Sequence, residues 1–124
     1  MHLSITAKIA LSSGLMLFIL AVGRVLHNTG RPYLRGLFTA HITATALLIA
    51  ALVLFLFSPL KDNDALISVI LPVIFGLFFL ALLVFSGILL NLEKAPTPSL
   101  WLHRIATAGF VIVTALLVWK FSVL

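Results

Sequence analysis

The chain contains no cysteine, so disulfides, thiolate zinc sites, iron–sulfur clusters and a CxxCH haem attachment are excluded. Acid is almost as scarce. Asp62, Asp64 and Glu93 are the three carboxylates, and all fall in segments that read as loops. Ser, His and acid therefore never converge on a nucleophilic triad. Charged residues make up 9% of the chain, whereas a soluble domain carries about a quarter. Hydrophobic residues make up 63%, so lipid has to solvate most of the surface. The net charge of +5 is scattered along the chain and forms no nucleic-acid surface; its placement reports orientation instead.

What remains is four long apolar runs. A spanning helix needs roughly 20 apolar residues to cross about 30 Å of hydrocarbon. The runs cover about 5–26, 37–57, 65–92 and 100–123, and predict an all-α transmembrane four-helix bundle in a single domain, 1–124. The breaks carry helix punctuation: Asn28-Thr29-Gly30-Arg31-Pro32, then Ser58-Pro59 with Lys61-Asp62-Asn63-Asp64, then Ala95-Pro96-Thr97-Pro98-Ser99. Ser99 is the expected N-cap of the last helix. Pro72 falls inside the third run and is expected to kink it. Tyr33, Trp101 and Trp119 sit near run ends, where amphipathic rings favour the membrane interface.

Arg24, Arg31, Arg35, Lys94 and Arg104 flank the first and third loops, with Glu93 as their one acid. The opposite side carries Lys8, Lys61 and Lys120 against Asp62 and Asp64. The positive-inside rule then places those two loops in the cytoplasm and both termini outside, as in a bacterial inner (cytoplasmic) membrane. The first run is not expected to be a signal peptide, because its strong basic cluster follows the apolar stretch instead of preceding it.

A duplication stands out. His41-Ile42-Thr43-Ala44-Thr45-Ala46 and His103-Arg104-Ile105-Ala106-Thr107-Ala108 both read H-x-x-A-T-A, each near the start of an even-numbered helix. Gly23-Arg24-Val25-Leu26 and Gly87-Ile88-Leu89-Leu90 both read G-x-x-L near the end of an odd-numbered one, with Asn28 and Asn91 close behind. The chain thus reads as two repeated helical hairpins. Each His is expected about one turn inside the membrane, with a Gly at similar depth on the preceding helix. In a bundle of alternating direction, the two imidazoles come from diagonal helices.

That arrangement suits one haem b. A b-type iron takes an imidazole on each axial side, which assigns His41 and His103 as metal ligands. Gly23 and Gly87 would admit the flat macrocycle where a side chain would collide. Ala44 and Ala106, one turn past each histidine, would leave room above the ring. Arg24 and Arg104 are the nearest cations for anionic propionates, with snorkelling to lipid phosphate as the alternative. In these residues the chain resembles the membrane b-type cytochromes, including the diheme cytochrome b of quinol-oxidising respiratory complexes. There, two alternate helices supply paired histidines and the other two supply glycines. The resemblance implies an electron-transfer subunit working with quinol or a redox partner complex. It also has a limit: the diheme proteins carry a second histidine about four turns along each helix, and here those positions are Phe55 and Leu117.

Other readings keep the same residues. The histidines could each ligate a chlorophyll-type pigment in an accessory subunit of a photosynthetic complex, or simply hydrogen-bond neighbouring helices in a cofactor-free scaffold, alone or as a homo-oligomer. His27 and His2 are expected at the interfaces, and His27 could serve a quinone head group. Gly14, Gly76 and Gly109 are expected to mark helix packing, and Thr45 and Thr107 to bond back to their own helices. Proton-coupled transport is disfavoured, because no carboxylate lies within a span. No enzymatic activity is expected of the chain by itself.

Overall fold

A computed structural model describes residues 3–57, 63–92, 94, 95 and 97–123, and all secondary structure among them is helical. Four helices run α1 Ile5–Thr29, α2 Arg35–Phe57, α3 Asn63–Leu90 and α4 Pro98–Val123. Each is long and apolar enough to cross a bilayer. The Ser58-Pro59 and Lys61-Asp62 parts of the second break, together with Glu93, Pro96 and His2, lie outside the described residues.

Local chemistry sets the ends. The Ser4 side chain accepts the Ala7 amide at 3.1 Å and caps α1. At the other end Gly30 takes φ 70°, and its amide returns to the Leu26 carbonyl at 3.2 Å. The Thr29 hydroxyl adds a bond to the Val25 carbonyl at 3.0 Å, which carries α1 past the expected end at 26. Before α2, the Leu34 carbonyl accepts the Phe38 amide at 2.9 Å. Tyr33 stacks on Phe38 with ring centroids 6.0 Å apart, an N′-to-N4 staple that fixes how the chain enters α2. Pro72 lies inside α3 without ending it. The turn after α3 tightens as the Asn91 amide reaches both the Gly87 and Ile88 carbonyls, at 3.2 and 3.1 Å. One expectation fails here. Ser99 is not the N-cap of α4, because the helix already starts at Pro98, a residue whose missing N–H costs nothing at the first helical position. Ser99 lies within the first turn and is buried.

The helices pack as two units, Met1–Lys61 and Asp62–Leu124, with α1 against α2 in the first and α3 against α4 in the second. In the first unit the buried positions of α1 are Ser12, Ile19, Val22 and Leu26, and those of α2 include Ala44, Leu48, Leu52 and Phe55. In the second, α4 buries Ala106, Phe110, Val113 and Leu117, and α3 buries Val69 and Ser86. These are helical-period stripes, whereas Leu17, Leu54, Ile67, Leu71, Ile88 and Ile112 stand exposed on other faces. In water such faces would be a liability; in a bilayer they are the solvated surface. Of the three glycines expected to mark packing, Gly76 faces Val113 and Gly109 faces the Phe79 ring, but Gly14 has nothing within 4 Å.

Candidate functional site

Each histidine continues the buried stripe of its own helix. His41 precedes Ala44 and Leu48 by three and seven residues, and His103 precedes Ala106 and Phe110 by the same steps. Both imidazoles are half-buried. The repeated threonines behave as expected: the Thr45 hydroxyl donates to the His41 carbonyl at 2.8 Å, and the Thr107 hydroxyl to the His103 carbonyl at 2.7 Å.

Within each unit the histidine meets the glycine of the helix packed beside it. A Cβ at Gly23 would lie 3.2 Å from His41 Cε1, tighter than ordinary van der Waals contact, and 3.7 Å from Nδ1. A Cβ at Gly87 would lie 3.8 Å from His103 Cε1, an ordinary contact distance. The small residue therefore admits the imidazole of its own hairpin, closely in the first and loosely in the second. Ala44 and Ala106 are both buried.

The ring nitrogens have different surroundings. His103 Nδ1 lies 2.9 Å from Ser86 Oγ, and that hydroxyl also reaches the Leu83 carbonyl at 3.2 Å. His41 Nδ1 is buried without a formed hydrogen bond. The Ile19 carbonyl is the backbone acceptor facing that imidazole. Ser86 had no place among the expected site residues. Its place directly before Gly87 gave its depth, but not the direction in which its hydroxyl points.

The basic residues stand at the edge. Arg24 and Arg104 are exposed, as is His27. The Arg104 guanidinium lies 5.5 Å from the centroid of the Trp101 ring, a cation–π contact suited to an interface. Phe55 and Leu117, where a second pair of histidines would stand, are apolar and 5% exposed, and Lys8 Nζ sits 5.6 Å from the Phe55 ring centroid. No group of three or more His, Cys, Asp or Glu that could enclose a metal ion is found among the described residues. Two imidazoles alone do not satisfy a bare divalent cation. The chain matches no protein-family model, no curated protein and no solved structure.

Proposed function

We propose that the chain is a membrane b-type cytochrome, a single-haem electron carrier in which His41 and His103 would hold the haem iron. The observation that carries this reading is that both histidines of the H-x-x-A-T-A repeats lie on the buried stripe of their helices. Each also rests against the glycine of the neighbouring helix in its own hairpin. An intramembrane ionisable residue held this way is a functional-site candidate by default. On this reading α1–α2 and α3–α4 are duplicated hairpins of one four-helix bundle, each contributing one ligand.

Gly23 and Gly87 give the imidazoles their positions against α1 and α3. Ala44 and Ala106 keep the next turn of each ligand helix small. Arg24 and Arg104 supply positive charge for anionic propionates near the cytoplasmic interface. The apolar stripes exclude water and lower the dielectric around the site. Haem, when bound, supplies one-electron redox chemistry. Phe55 and Leu117 leave a single bis-histidine site, so the carrier exchanges electrons with membrane quinol or with further centres in a redox complex and is not an enzyme by itself. We place it in a bacterial cytoplasmic membrane with both termini outside, as the distribution of basic residues indicates.

A visible spectrum of the purified, dithionite-reduced protein tests the reading. A sharp reduced α-band is expected. His41→Ala and His103→Ala should each abolish the low-spin bis-imidazole spectrum, while His27→Ala should leave it intact. A red or infrared band instead would assign the histidines to a chlorophyll-type pigment. Colourless protein, expressed with ample haem and pigment precursors, would leave a scaffold whose histidines only pack.

A further inference from the structure

We propose that Ser86 is a positioning residue: it fixes His103 as the Nδ1–H tautomer and so presents Nε2 as the electron-pair donor, a constraint His41 lacks. The ligand role of Nε2 rests on the cytochrome reading above; the tautomer itself does not.

The argument is a count of protons. Ser86 Oγ contacts the Leu83 carbonyl at 3.2 Å and His103 Nδ1 at 2.9 Å. A carbonyl can only accept, and a hydroxyl has one proton to give. Both bonds form together in one way: the hydroxyl donates to Leu83, and Nδ1–H donates to the hydroxyl oxygen. A neutral imidazole has a single N–H, so the lone pair is then on Nε2. Ser86 is 0% exposed, which leaves water no access to compete for either bond.

The first hairpin lacks this relay. Val22 precedes Gly23 as Ser86 precedes Gly87, and Ile19 lies four residues before its glycine as Leu83 does. Val22 is buried and has no hydroxyl. The Ile19 carbonyl faces the imidazole, but His41 Nδ1 makes no formed hydrogen bond. Outer hydrogen bonds of this kind set the tautomer, orientation and basicity of a metal-binding imidazole. His103 is thus preset for ligation by a hydroxyl of its own hairpin, whereas the group beside the His41 ring is the Ile19 carbonyl.

The test uses the full chain, labelled with ¹⁵N at histidine and held in detergent micelles without haem. Ring-nitrogen shifts should report His103 as Nδ1–H in the wild type and in Ser86→Thr, which keeps the hydroxyl. In Ser86→Ala the population should move toward Nε2–H, with His41 unchanged. Val22→Ser should move His41 toward Nδ1–H. Finding His103 as Nε2–H in the wild type, or unmoved by Ser86→Ala, overturns the assignment. Haem titration gives the second readout: Ser86→Ala should weaken binding about 10–100-fold, and Ser86→Thr should restore it. Equal weakening by Ser86→Thr would show a packing effect and also overturn it. If the wild-type chain takes up no haem, the cytochrome reading fails, while the nitrogen shifts still decide the role of Ser86.

Discussion

The two hairpins share one local plan and fill it differently. In the first, α1 meets His41 through close approach, with a glycine whose Cβ would stand 3.2 Å from the imidazole and a valine beside it. In the second, a Cβ at the corresponding glycine would stand 3.8 Å from the imidazole, an ordinary contact, and the neighbouring position is a serine hydrogen-bonded to the ring. One imidazole lies in close contact near a backbone carbonyl, and the other has looser contact together with a directional bond to a hydroxyl. Packing tolerates a sliding ring, whereas a buried hydrogen bond weakens steeply off axis. The difference teaches that matching sequence motifs need not give matching ligands. H-x-x-A-T-A specifies the face and the threonine back-bond, but the environment of Nδ1 is set by the helix opposite.

The sharpest way to break the comparison is to fill both glycines. Gly23→Leu and Gly87→Leu each place a branched side chain where the imidazole lies. Both should lose haem loading by tenfold or more, the low end of about 10–100-fold for disturbing a ligand's support. Membrane insertion, read by fractionation, should be unaffected. Normal loading in both variants would show that the glycines do not govern the histidine positions. Loss in one hairpin only would assign the site to that hairpin.

A finer comparison uses alanine. Gly→Ala in a helix interior gains about 1 kcal/mol from propensity. At Gly87 the added Cβ has room, so that gain should appear in full. At Gly23 the His41 ring must give by a few tenths of an ångström, and a comparable cost should cancel the gain. Reversible unfolding in mixed micelles should therefore show Gly87→Ala more stable than Gly23→Ala by about 1 kcal/mol. Equal stabilities would mean that the two contacts are equally tight.

Much of this architecture was legible in the residues, because lipid imposes a strong and simple constraint on composition. The four apolar runs match α1–α4 in number and order, and their ends differ by a few residues where local bonds decide. Thr29 and Gly30 carry α1 beyond 26, and Pro98 starts α4 ahead of Ser99. The matched depth of each histidine and the glycine of the preceding helix was legible, but those glycines were expected to admit the macrocycle, and each instead faces the imidazole of its own hairpin. Other features did not follow. Gly14 looks like a packing glycine, yet a Cβ there would meet open space. Ser86 could not be separated from other hydroxyls in apolar helices, since its role depends on which turn of α3 faces α4. Periodicity gives a stripe about a third of the circumference wide, too coarse to aim one hydroxyl at one nitrogen.

The smallest effect sets the baseline for the comparison. Thr45 and Thr107 donate to the carbonyls of the histidines four residues earlier, at 2.8 and 2.7 Å. Replacing either by Val keeps the shape and removes the hydroxyl. The carbonyl keeps its helical N–H partner, because an oxygen has two lone pairs and loses only the second bond. The released threonine partner leaves no buried donor behind, since the hydroxyl goes with the substitution. Each change should therefore cost about 0.5 kcal/mol or less, and the cost should be the same in both hairpins. Unfolding of Thr45→Val and Thr107→Val under identical micelle conditions measures this directly. Equal small losses would confine the asymmetry to the groups facing Nδ1. A large loss at one site alone would mean that the two histidine turns already differ within their own helices, and the contrast drawn between Val22 and Ser86 could no longer account for the difference.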